Sequence, residues 1–390
     1  MFRNYTTFVI GAGASAEFGM PVGSELAKSI KKSALLRNLG HKNADVGDDT
    51  LYETVRRLWP NAIDRTKPLK AAQDINEGVH TAVSIDAFID RFANDPDIAL
   101  MGKMLIALEI AKAEAESSMA QRYWPSIDED NSTPRNAAGK PLINPDDTWI
   151  GHFFRILCDG VQDARDLGEN ITIICFNYDR CIEYYLRKQI AAAYRISLAD
   201  AHEIVMGMNI IHPYGTLGEL TLNKSGHGDG LLPFAPERDN YFRLEKIAEN
   251  IRTYTQQQHE PEMIKKIHDA IALNNVLVFL GFGFNNQNLD LLRVSHLDEY
   301  GELGSRNIYS SGLGIAQQVD KTIKRRIMHL LWQEQRKHDQ SASRVHIEYG
   351  QKCWELFNTH SMNLSSFTRA YFVEVGDHKS QRVLIPSSED

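Results

Sequence analysis

The apolar run Thr7-Phe8-Val9-Ile10 leads without a break into Gly11-Ala12-Gly13-Ala14-Ser15, and then into Ala16-Glu17-Phe18-Gly19-Met20-Pro21. A run rich in β-branched and aromatic residues reads as a buried strand. Two glycines one residue apart let the backbone turn tightly and approach a bound group closely. A helix opening after such a turn points its free N–H groups at that group, an arrangement suited to a phosphate. The segment is therefore expected to be the first strand–turn–helix unit of an α/β sheet, with a pyrophosphate cradle in the turn.

At 390 residues the chain has room for two or three domains of about 100–200 residues each. Its apolar content of 43% and charged content of 24% are those of a globular protein. A net charge of −8 argues against broad nucleic-acid binding, and no apolar run is long enough to suggest a membrane span. The cysteines Cys158, Cys175, Cys181 and Cys353 form no C-x-x-C pair, so neither a zinc ribbon nor a redox dithiol is expected. Scattered cysteines fit a reducing cytoplasm, where each serves as apolar filler.

Beyond a helix expected from Gly23 to Leu36, the chain does not proceed to a second strand. Leu51 to Leu58, Ile85 to Phe92 and Ile98 to Ala120 all read as helices, the last as a long amphipathic one. Trp124 to Asp147 reads as a loop, and Trp149 to Ala164 as a helix. Strands are then expected at Ile171 to Phe176, Met208 to Ile211, Asn275 to Leu280, Asn307 to Ser310 and Val345 to Tyr349, with helices between them and a second long loop at Leu220 to Asn240. A long helix is expected at Val319 to Lys337, packed by its apolar residues and leaving a solvated basic face. The expected fold is α/β, a Rossmann-like parallel sheet flanked by helices, with a large helical insertion after the first βα unit. Residues 1–30 and 168–360 would form the sheet domain, 31–167 the helical module, and 361–390 a C-terminal tail.

Three further segments stand where strands run into turns. In Phe176-Asn177-Tyr178-Asp179, Asp179 is placed to cap the next helix, and Asn177 to hold a ribose hydroxyl or a water at the strand mouth. In Ile211-His212-Pro213-Tyr214-Gly215, His212 sits in a rigid turn that suits a general base near neutral pH, although a single histidine in a chain with thirteen others is more often a bystander. In Leu280-Gly281-Phe282-Gly283, the two glycines offer a second place for backbone to approach a ligand. The third glycine of G-x-G-x-x-G is replaced by Ala16, and no second strand ends in an acidic residue about 20 positions on, which disfavours a conventional dehydrogenase. His202-Glu203 lacks the second histidine of H-E-x-x-H, with Met206 in its place, so no catalytic metal is expected.

Taken in order, Gly-Ala-Gly-x-Ser with a downstream Gly-x-Pro, Asn-x-Asp, His-x-x-Gly and Gly-x-Gly, the set resembles the sirtuin (SIR2-like) family over Thr7–Gly23 and roughly Ile171 to Gly350. That resemblance implies NAD+ as substrate. It places Gly11, Ala12, Gly13 and Ser15 at the pyrophosphate and ribose, Asn177 and Asp179 at the nicotinamide ribose, and His212 as the catalytic histidine. Protein-deacylating sirtuins carry paired C-x-x-C motifs and continue Gly-Ile-Pro with Asp-Phe-Arg. Here the cysteine pairs are missing, and Gly19-Met20-Pro21 continues with Val22-Gly23-Ser24-Glu25. These departures make the chain look like the SIR2-like NAD+-hydrolysing effectors of bacterial antiphage systems, and so imply a homo-oligomer with a HerA-like ATPase as partner.

The expected reaction is cleavage of the nicotinamide–ribose bond to nicotinamide and ADP-ribose, with Asn177 orienting water or the ribose hydroxyls and His212 accepting a proton. NAD+-dependent deacylation, and a regulatory module that binds NAD+ or ADP-ribose without turnover, are the alternatives. A gate on activity is expected in the Trp124–Asp147 loop, the Leu220–Asn240 loop or the oligomer contacts of the insertion.

Overall fold

A computed structural model describes residues 1–36, 47–121, 135, 139, 141–221, 232–236, 243–257, 260–294, 306–330, 342–366, 368–375 and 379–386. Six strands form one all-parallel sheet: β1 (Thr6–Ile10), β2 (Ile171–Cys175), β3 (Ile210–Ile211), β4 (Val276–Leu280), β5 (Asn307–Gly312) and β6 (Val345–Tyr349). Their order across the sheet is β3-β2-β1-β4-β5-β6. Every residue of β1 and β4 is buried, as central strands covered on both faces require. Successive side chains of β1 serve opposite layers. Phe8 packs with Phe2 and Phe153, whereas Thr7 turns to the other face and gives its hydroxyl proton to the Ala270 carbonyl at 2.8 Å. The sheet expected from the sequence is thus present, and so is the helical insertion within it.

The insertion is organised around the helix Pro96–Glu116. Asp95 starts it by accepting the N–H groups of Asp97 and Ile98, with Pro96 as first residue. The expectation of an amphipathic helix is not met. Met101, Met104, Leu105, Ile106, Leu108 and Ile110 are all buried, so apolar residues face every direction. The reason is its position, because the helices Gly23–Ser33, Asp49–Leu58, Thr66–Gly78, Ile85–Arg91 and Leu244–Ala248 all pack around it. At its far end Glu114 is fully buried and accepts the backbone N–H of Arg180 at 3.0 Å and its guanidinium at 2.7 Å, which fastens the insertion to the mouth of β2.

The helix Trp149–Cys158, within the span 31–167, packs on the sheet layer through Phe153 and against the helix Cys353–Leu364. The span 361–390, expected to be a tail, contains the end of that last helix and an antiparallel hairpin of β7 (Thr368–Val375) and β8 (Lys379–Pro386). Most of the loop expected at Trp124–Asp147, most of that at Leu220–Asn240, and residues 331–337 of the expected long helix lie outside the described residues.

Candidate functional site

Register decides what meets at the carboxyl edge of the sheet. Ile10 is level with Cys175 of β2 and Leu280 of β4, so Gly11, Phe176 and Gly281 leave the sheet side by side. The point between β1 and β4, where the strand order reverses direction, is where open α/β sheets hold ligands. A cavity of about 780 Å³ opens there, within the range of roughly 300–1,000 Å³ typical of small-molecule sites.

Gly11, Ala12, Gly13, Ser15, Asn177, Asp179, Gly281 and Gly283 all line it. The glycines, however, are demanded first by the protein itself. A Cβ on Gly11 would lie 2.6 Å from the Gly281 carbonyl oxygen, and one on Gly13 2.9 Å from the Gly281 Cα. Gly281 has φ +56°, and a Cβ there would run into the Gly13–Ala14 peptide. The Gly11 N–H donates to the Leu280 carbonyl at 2.9 Å and the Gly13 N–H to the Gly281 carbonyl at 3.0 Å. The two turns therefore clasp each other and leave these two amides engaged within the fold. The helix behind the first turn is a single turn, Ala12–Ser15, followed by a 3₁₀ turn, Ala16–Phe18, that ends at Gly19 with φ +88°. Gly283 differs, since a Cβ there would meet only the Asn285 side chain at 3.8 Å.

Asn177 is buried and its amide donates to the Gly11 carbonyl at 3.1 Å and to the Ser15 hydroxyl at 2.8 Å, tying the mouth of β2 to the glycine turn. Asp179 accepts the Cys181 N–H at 3.2 Å, the local bond expected of it. Burial pushes its carboxyl up, opposed by hydrogen bonds from Cys181 and the Ser15 hydroxyl.

His212 is placed differently. Ile211 is level with Ile174, so His212 stands beside Cys175, one step short of the cavity floor, and it does not line the cavity. Its Nδ1 donates to the Asn177 carbonyl oxygen at 3.1 Å and its Nε2 pairs with Glu183 at 2.7 Å. Burial works against a charge on the ring, but the Glu183 carboxylate beside it overrides this and holds the ring well above the usual histidine range. A protonated imidazole with both nitrogens donating has no lone pair with which to accept a proton.

Several lining residues carried no signal of their own in the sequence. Asp86 comes from the insertion, at the start of the helix Ile85–Arg91, and receives the Tyr178 hydroxyl hydrogen bond across the cavity wall. Burial pushes its carboxyl up to about 6, the bond from Tyr178 acting the other way. The Tyr214 hydroxyl donates to the Asn288 side-chain oxygen at 2.8 Å. Tyr178 and Tyr214 stand inside the two motifs around Asn177 and His212, and that placement is the available hint. Glu17 also lines the cavity, but its carboxylate accepts the N–H groups of Trp149 at 3.1 Å and Cys353 at 2.7 Å, joining the first turns of two helices.

Among the described residues no three His, Cys, Asp or Glu side chains gather as a metal site, and no helix is long and apolar enough to cross a membrane. No protein-family model matches the chain, and no curated protein matches it.

Proposed function

We propose that the cavity takes NAD+ and that the protein hydrolyses its nicotinamide–ribose bond. The observation that carries the reading is the location of the cavity: it lies over the β1/β4 switch of a 3-2-1-4-5-6 parallel sheet and is walled by the turns after β1, β2 and β4. The same strand order serves dinucleotides elsewhere, and the volume suits one. In this reading Asn177 stands at the reacting centre. The C1′–N bond breaks with its electron pair passing to the ring nitrogen, which neutralises the pyridinium, and water adds to C1′ and releases a proton. An oxocarbenium-like C1′ is electrophilic enough that the attacking water needs orientation more than a strong base. His212 then acts as a positioning residue, holding the Asn177 carbonyl while Glu183 holds the imidazole. The setting proposed with this activity, NAD+ depletion in antiphage defence by an oligomer beside a HerA-like ATPase, rests on the motif resemblance alone.

A second reading, a module that binds NAD+ or ADP-ribose without turnover, is favoured by the engagement of both His212 nitrogens outside the cavity. Nicotinamide release from NAD+ separates the two. Hydrolysis predicts release by the wild type and its loss, by about a hundredfold or more, in Asn177→Ala. Binding without release over a long incubation supports the module, and no binding of NAD+ sinks both.

A further inference from the structure

The two ends of the cavity differ in charge and in wall chemistry. Over β5 and β6 the wall includes Ser311, Leu313 and the exposed Lys352. Over β2 and β3 it is aromatic: Phe176 packs against Tyr214 at 5.8 Å and Phe282 at 5.4 Å, and Tyr178 lies 6.2 Å from Tyr214. All four rings are buried and all four line the cavity. Asp86 joins them from the insertion, a second carboxyl group at this end beside Asp179, which is hydrogen-bonded to the Cys181 N–H and the Ser15 hydroxyl. Its neighbours are Tyr178, whose hydroxyl it accepts, Tyr214, and Asp90 one helical turn further along its own helix. A carboxylate set among aromatic faces recognises a flat organic cation, through direct charge attraction and the ring quadrupoles together.

We infer that Asp86 is a specificity-determining residue that selects a cationic pyridinium over its neutral reduced form, so that the site takes NAD+ and refuses NADH. The inference rests on the reading of the cavity as a dinucleotide site. The sheet supplies the rings and the insertion supplies the charge, and neither alone makes the distinction. NADH has the same size and the same phosphates, so the Lys352 end and the glycine turns cannot tell the two apart. Asp86 is ionised at neutral pH, its carboxyl titrating at about 6.

The test is the affinity of the purified full chain for carba-NAD+, which keeps the cationic ring but resists hydrolysis, and for NADH, both measured calorimetrically at pH 7.5. The wild type is expected to bind carba-NAD+ about tenfold more tightly or better. Asp86→Asn keeps an acceptor for the Tyr178 hydroxyl and is expected to bring the two affinities within about twofold of each other. Tyr178→Phe removes that hydrogen bond but keeps ring and carboxylate, and is expected to retain the preference. Equal binding of both ligands by the wild type, or an undiminished preference in Asp86→Asn, overturns the inference and leaves the dinucleotide site standing. Failure of carba-NAD+ to bind, with or without NADH, overturns both the inference and the dinucleotide site.

Discussion

At the scale of single residues, Asp86 gives the clearest pH signature. Its carboxyl titrates at about 6 in the fold, against an ordinary value of 3.8. Below 3.8 it is protonated in folded and unfolded chains alike and carries no penalty. As the pH rises the unfolded chain ionises first, so folding loses stability up to about pH 6, reaching at most about 3 kcal/mol. Asp86→Asn is thus expected to gain on the wild type as pH rises from 4 to 7, read as a growing difference in urea midpoint. A constant difference would show that Asp86 is not perturbed. Gly281 and Gly283 form a second contrast. Gly281→Ala places a Cβ in the Gly13–Ala14 peptide at a left-handed φ and is expected to cost at least about 2 kcal/mol. Gly283→Ala meets only the Asn285 side chain at ordinary van der Waals distance and is expected to leave the unfolding free energy within about 0.5 kcal/mol of the wild type. The sequence showed these glycines as special but not why, because the clasp joins residues far apart in the chain. Asn177 was legible as a strand-mouth residue, whereas the two partners of its amide were not. His212 stood out as a rigidly held histidine, but its level beside Cys175 follows from the register of β3, which no local pattern states.

At the scale of elements, period and composition exposed the strands well, since β1, β2 and β4 are short, continuous apolar runs. They failed where burial is unusual. Pro96–Glu116 is apolar nearly all round because helices surround it, and a one-sided reading of its pattern misses that. Thr66–Gly78 and Leu198–Gly207 were not read as helices at all. Their buried faces are thin, Pro68, Ala71, Ala72 and Ile75 in one and Ala201, His202 and Val205 in the other. The β7–β8 hairpin went unread although Gly376-Asp377 between two β-branched runs is a turn signal. The join between elements is where the energetics concentrate. Glu114→Gln would leave the Arg180 guanidinium buried without its counter-charge, 2% exposed, at an expected cost of about 3–5 kcal/mol. The measurement is equilibrium urea unfolding, and a loss below about 1 kcal/mol would show that the insertion is held chiefly by its apolar contacts.

For the whole molecule, the insertion leaves the chain between the first and second strands of the sheet and returns to roof the site those strands open onto. Its helix Ile85–Arg91 brings Asp86 to Tyr178, and its helix Pro96–Glu116 brings Glu114 to Arg180, the two residues that flank Asp179 in the turn after β2. Both halves line the cavity, so on the proposed reading a bound dinucleotide would touch both, and its binding energy would add to the free energy that keeps them together. At a hundred times its dissociation constant that addition is about 2.7 kcal/mol. Hydrogen exchange should therefore slow on adding carba-NAD+ in two separate stretches, the first turn of Ile85–Arg91 and the strand-end turns 176–179 and 281–283, by up to about a hundredfold for amides that exchange through opening of the roof. Protection confined to the strand-end turns would mean that the insertion is scaffold and not part of the site. Asp86 would then have no role in choosing the ligand.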